Sequence, residues 1–137
     1  MRAAKSMAAA LVLAGLTACG GGGSANNATA ADEPNQIPQR FHGRWRYNPA
    51  ECAQGPSGGV IGQDVFADRV EGNMYSYAVT GVEATSANRI MISVTRTSRE
   101  AGGGPPQPDT LDFALSADGN TLNWTLRGGS TPVTRCP

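Results

Sequence analysis

The sequence predicts an all-β domain: a small antiparallel meander of seven or eight strands that closes on itself. Three observations predict it. Apolar and polar residues alternate with a period of two over residues 41–47, 90–95, 110–115 and 122–127. Glycine-containing turn sequences punctuate these runs. No window after residue 37 carries a 3.6-residue period. A meander of this length loses its exposed edges by closing into a barrel.

The first run places Phe41, Gly43, Trp45 and Tyr47 on one face, expected inward, and His42, Arg44 and Arg46 on the other. His42 is therefore expected in solvent. Arg44 and Arg46 read as a solvated stripe that Arg127 or Arg135 could join, with an anionic partner as the second reading. Asn48 to Gly59 carries two prolines and three glycines and reads as a long loop holding Cys52. Val60 to Val70 is strand-like with unresolved facing: Phe66 and Val70 point one way, Val65 and Ala67 the other. Glu71-Gly72-Asn73 suits a hairpin turn and leads into a strand with Tyr75, Tyr77 and Val79. Ile90, Ile92 and Val94 mark the next strand, and Ala101 to Pro106 is a loop. Leu111, Phe113 and Leu115 precede the Asp118-Gly119-Asn120 turn. Leu122, Trp124 and Leu126 then lead through Gly128-Gly129-Ser130 to a last strand that contains Arg135.

Phe41, Trp45, Tyr47, Tyr75, Tyr77, Phe113 and Trp124 all fall on expected inward positions. A barrel of eight strands either fills with side chains or holds one small ligand. These aromatics are expected to fill most of the interior as core. Tyr47, Tyr75, Tyr77 and Trp124 are the candidates to line a pocket at one mouth.

The amino terminus carries Arg2 and Lys5, the apolar run Met7 to Leu16, and then Leu16-Thr17-Ala18-Cys19. This is a charged region, an apolar region and a small-residue cleavage site. The Leu-Thr-Ala-Cys ending resembles the lipobox of bacterial lipoproteins. The resemblance implies cleavage after residue 18, acylation of Cys19, and a protein anchored to a membrane without crossing it. Residues 1–18 are thus read as a lipoprotein signal peptide and 38–137 as the β-barrel domain. Residues 19–37, rich in Gly, Ala and Asn, have no side chain larger than alanine among their apolar residues before Ile37. Such a segment is expected to be a disordered tether of about 18 residues with an r.m.s. span of roughly 20–25 Å. Gly20 rather than Asp after the acylated cysteine implies, by the same resemblance, the outer membrane, with a periplasmic or surface-facing domain.

The whole sequence is neutral, with 11 basic and 11 acidic residues, and the leader removes Arg2 and Lys5. The remainder is slightly acidic and offers no basic face, which argues against nucleic acid as a partner. The three cysteines are Cys19, Cys52 and Cys136. With Cys19 acylated in an oxidising compartment, the expectation is one disulfide, Cys52–Cys136. It would close a loop of about 84 residues and contribute roughly 4–5 kcal/mol by chain entropy.

No metal, cofactor or catalytic residue is expected. A zinc site from His42, Cys52 and Cys136 would require breaking the disulfide. Asp64, Asp68, Glu71, Asp109 and Asp112 could supply a carboxylate pair, but their placement does not favour one, and Asp112 is expected to face solvent. No nucleophile elbow, phosphate loop or zincin motif occurs. An enzyme is not the expectation.

Gly43-x-Trp45 in the first strand with Arg135 in the last resembles the signature of lipocalin-like (calycin-type) barrels. The resemblance implies that Trp45 closes the barrel floor and Arg135 packs over it, a contact of about 0.5–2 kcal/mol. The pattern Phe-x-Gly-x-Trp, a Cys in the following loop and a terminal Arg-Cys also resembles small proteobacterial lipoproteins. The departure from lipocalins is the shorter domain. Together these readings imply a lipid-anchored envelope protein that binds a small hydrophobic ligand, an amphiphile or an envelope protein without catalysis. The alternative is an interaction or structural lipoprotein, such as a lysozyme-inhibitor-like protein, with the 55–59 and 102–108 loops in contact.

Overall fold

The computed structural model describes residues 35–57 and 59–137. Cys19, the leader and the tether up to Pro34 lie outside the described residues. Eight antiparallel strands follow one another in chain order around a closed barrel. They are β1 (Gly43–Arg46), β2 (Gly62–Val65), β3 (Arg69–Gly72), β4 (Tyr75–Ser86), β5 (Arg89–Ser98), β6 (Gln107–Leu115), β7 (Thr121–Leu126) and β8 (Gly129–Arg135). Alternate residues point inward, and Val65, Val70, Ile90, Ile92, Val94, Leu111, Phe113, Leu122 and Val133 form a buried interior.

The two ends of the barrel differ. One carries the 66–68, 87–88 and 116–120 turns and is closed by the segment entering β1. Phe41 belongs to a 3-10 turn, Gln39–Phe41, rather than to the first strand, and is still fully buried. The Trp45 indole donates to the Phe41 carbonyl at 3.0 Å. The Arg135 guanidinium stacks 4.2 Å from the Trp45 ring centroid. It donates to the carbonyls of Arg40, His42 and Gly119 at 2.6, 2.7 and 2.9 Å. Gly43 has φ +129°, and a Cβ there would stand 3.2 Å from Arg135 Nη1, so the glycine makes room for the arginine. Ile37, expected in the tether, is 2 % exposed and its N–H donates to Ala67 O at 2.8 Å. His42 is half-buried rather than solvated, because its Nε2 bonds the Ile37 carbonyl at 2.7 Å.

The facing of residues 60–70 resolves because they are not one strand. β2 ends at Val65 and β3 starts at Arg69, so Val65 and Val70 oppose each other and both point inward. Parity restarts across the 66–68 turn. β4 runs well past Val79 to Ser86 and pairs with β5 along its length, with a bulge after Val79.

The barrel closes on its weakest seam. β1 meets β8 only at Trp45↔Arg135 and Arg46↔Thr134. The β1–β2 connection folds back over the outside of this seam, where Cys52 forms the expected disulfide with Cys136 across a Cα–Cα distance of 5.5 Å. Arg44 Nη1 donates to Cys52 O at 2.8 Å. Arg46 does not join a solvated stripe: it is 0 % exposed beneath this loop. Its guanidinium donates to Trp45 O, Gln63 O and Gln54 O at 2.8, 3.2 and 2.7 Å and lies 2.8 Å from Asp64 Oδ1. Gly62 makes this possible, since a Cβ would fall 2.2 Å from Trp45 O and 3.0 Å from the Arg46 Cδ.

Candidate functional site at the open mouth

The opposite end carries the 47–61 and 99–106 connections and the 73–74 and 127–128 turns. Here the inward positions change character. Above the aliphatic interior, β4 contributes Tyr75 and Tyr77, β5 contributes Arg96 and β6 contributes Asp109. Register fixes their side: Tyr77 opposes Val70 and Arg96, and Asp109 opposes Val94, whereas Gln63 opposes Trp45 deeper in the barrel.

These groups form one cluster. The Tyr75 and Tyr77 rings are 6.3 Å apart, and the Arg96 guanidinium carbon stands 4.5 Å from the Tyr75 centroid. Tyr77 also crosses over Gly72, the residue paired with Gln63: Cε2 lies 3.6 Å from where a Gly72 Cβ would be. Asp109 Oδ2 lies 3.2 Å from Arg96 Nε and 3.1 Å from Arg127 Nε. Only the Arg127 contact has hydrogen-bond alignment; Arg96 Nε meets the same carboxylate as an ion pair without that alignment. Gln63, 1 % exposed, has an unpaired Nε2, and the inward-facing Trp124 of β7 has an unpaired Nε1. Burial pushes the Tyr77 phenol up to about 12, with nearby Arg96 opposing the shift and Asp109 adding to it. Tyr77 thus keeps its hydroxyl proton at neutral pH.

The rim is apolar on one side. Tyr47 and Ile61 extend the β1–β2 ladder by one step, through the Tyr47 N–H to Ile61 O bond of 2.8 Å. Both are exposed, as is Met74 in the 73–74 turn. Tyr47, expected to line the interior, is 59 % exposed, because β1 ends at Arg46 and the chain turns outward over the rim. Of the expected lining residues, Tyr77 is buried in the mouth and Tyr75 is half-buried there, whereas Trp124 opposes Phe113 deeper in the barrel and packs against the core. Gly43, Trp45 and Arg135 gather at the closed end, and Cys52 and Cys136 at the seam. None of these five belongs to the mouth.

Arg96, Asp109 and Arg127 of the mouth, and the buried Gln63 beneath it, are absent from the expected site. A signal for two of them exists in the alternation. Arg96 continues the inward parity of Ile92 and Val94, and Asp109 that of Leu111 and Phe113. Two opposite charges on inward positions of adjacent strands are a recognisable pattern. Gln63 is not legible until the β2–β3 hairpin sets its parity.

The five carboxylates considered for catalysis are each paired with arginine. Asp64 contacts Arg44 and Arg46, Asp68 contacts Arg69, and Glu71 contacts Arg69 and Arg99. Asp109 contacts Arg96 and Arg127, and Asp112 contacts Arg89 from the outer face of β6. The bond to Arg89 holds the Asp112 carboxyl below its usual range. Among the described residues, no group of three or more His, Cys, Asp or Glu side chains is arranged to hold a metal ion. A shallow hollow of about 150 Å³ on the outer face is lined by Gly43, Arg44, Asp64, Val65 and Phe66, away from the mouth. Comparisons with known families, curated proteins and solved structures return no match.

Proposed function

We propose that this chain is a lipid-anchored protein of the bacterial envelope, at the outer membrane, that holds a small amphiphile in the open mouth of its barrel without chemical turnover. The observation that supports this most is the polar and aromatic cluster on inward positions at the mouth, where Tyr75 and Tyr77 stand with Arg96, Asp109 and Arg127. Inward charges and phenols beside an apolar core are costly to bury and mark this end as the place for polar recognition. The exposed Tyr47, Ile61 and Met74 beside them offer apolar surface to the rest of such a ligand. The lipid anchor rests on the Leu16-Thr17-Ala18-Cys19 sequence.

Native mass spectrometry after gentle purification tests the reading. The expected result is a bound species, or saturable uptake of a hydrophobic dye that changes Trp124 emission. A single apo mass with no uptake of dye or fatty acid overturns it.

A further inference from the structure

We propose that a second binding site lies on the outer wall of the barrel beside the 66–68 turn, and that it takes one neutral sugar ring of a glycan through two neighbouring hydroxyls. The site is separate from the mouth and does not depend on what the mouth holds.

The site is the hollow of about 150 Å³ lined by Gly43, Arg44, Asp64, Val65 and Phe66. Register builds it. Gly43 opposes Val65, and this pair offers only main chain to the outside, because Val65 turns its side chain into the core. Arg44 opposes Asp64, and both point outward. Phe66, the first residue beyond β2, stands 38 % exposed beside them. Arg69 stacks 4.1 Å from its ring centroid and is paired with Asp68 and Glu71 at 3.0 and 3.4 Å, which holds the ring in place. Asp64 meets Arg46 and Arg44 at Oδ1, at 2.8 and 3.6 Å, and no described residue donates a hydrogen bond to Oδ2. Arg44 donates from Nη1 to Cys52 O, and its Nε and Nη2 make no hydrogen bond among the described residues.

An acceptor, a donor and an aromatic ring thus stand side by side. The two charged groups that line the hollow have opposite signs, so an anion meets the Asp64 carboxylate and a cation meets Arg44. Arg135, behind Gly43, already donates to the carbonyls of Gly119, His42 and Arg40. A neutral ligand with adjacent donor and acceptor and an apolar face answers all three groups. One hydroxyl of a vicinal diol donates to Asp64, its neighbour accepts from Arg44, and the C–H face of the ring lies on Phe66. Equatorial hydroxyls, as on a glucose-type ring, leave that face clear. The volume is below that of a pocket for a whole ligand, so the hollow takes one ring of a longer chain.

The test titrates the full chain carrying Cys19→Ser with cellotriose and with chitotriose and follows backbone amide shifts by NMR. Either sugar is expected to move the amides of Gly43, Arg44, Val65 and Phe66 with a Kd on the order of 1 mM, leaving those of Tyr77 and Arg96 in place. Phe66→Ala and Arg44→Met are each expected to weaken binding roughly tenfold, and Phe66→Tyr to retain it. Inorganic phosphate and N-acetylglutamine amide, probes for an anion and for a peptide carboxamide, are expected to leave the four amides unmoved. No shift with either sugar at about 10 mM overturns the proposal. Binding of phosphate or of the carboxamide as tight as that of the sugars overturns the assignment to a sugar. Shifts confined to Tyr77 and Arg96 place the sugar in the mouth and overturn this site, as does undiminished binding by a folded Phe66→Ala.

Discussion

Arg46 shows how one side chain is converted from surface to structure. Its position in β1 points it out of the barrel, where an arginine ordinarily costs nothing. The returning loop buries it completely, and the protein then satisfies it with three carbonyls and Asp64. The buried Nε remains unpaired, so the arrangement is not optimal. Removing one member of a buried charge pair costs about 3–5 kcal/mol, since the other member is stranded; methionine strands Asp64 as alanine does but keeps the packing of the stem. Arg46→Ala is therefore expected to lower stability by about 3–5 kcal/mol in urea unfolding. Arg46→Met is expected to lower it by the packing share less, because the stem still fills the space under the loop. Equal losses for the two variants would mean that packing is irrelevant and charge alone matters. A loss near zero for alanine would mean that the loop is not seated on Arg46.

At the scale of elements, the strands divide into those that hold themselves and those that are held. The β4–β5 hairpin pairs along its whole length. The β1–β8 seam has two register positions and relies on the loop, the Cys136 N–H to Arg44 O bond of 2.8 Å and the disulfide. Reduction, or Cys52→Ser with Cys136→Ser, is expected to destabilise the domain by roughly 4–5 kcal/mol if chain entropy dominates. Amide exchange should then quicken first in β1 and β8, while β4 and β5 keep their protection. Uniform acceleration across all strands would contradict a localised seam. The same division explains what was legible in the sequence. Strands with clean alternation, such as Ile90–Val94 and Leu122–Leu126, could be placed and faced by period alone. The interval from Val60 to Val70 could not, because a turn inside it restarts the alternation and no glycine or proline marks that turn. Arg46 could not either: its burial comes from a loop folding back, which local pattern does not encode. Tyr47 misled for a related reason, since alternation says nothing about where a strand stops.

For the whole molecule, the closed and open ends acquire different meanings once the path of the chain is considered. The polypeptide enters the folded body at the closed half. Ile37 bonds Ala67 in the 66–68 turn, and Asn35 Oδ1 lies beside Gly81, 3.8 Å from where a Cβ would be. Floor, entry point and Arg135 clamp lie together, and the mouth is at the other end of the barrel. If Cys19 carries the proposed acyl chains, the connection to the bilayer leaves from the floor, and the mouth is presented away from the protein's own membrane. A ligand bound there as proposed would then arrive from the aqueous side or from a facing partner, rather than by lateral entry from the anchoring leaflet. That path biases the orientation towards the floor facing the bilayer. The acylated protein in vesicles, labelled in separate preparations at Ala117 in the 116–120 turn and at Gly102 in the 99–106 loop, reports the bias directly. A quencher carried on lipid headgroups is expected to act more strongly on the probe at Ala117. Stronger quenching at Gly102 would turn the mouth towards the bilayer and make the leaflet itself the source of the ligand. Equal quenching would mean that the tether lets the barrel tumble and that its two ends are equivalent to the membrane.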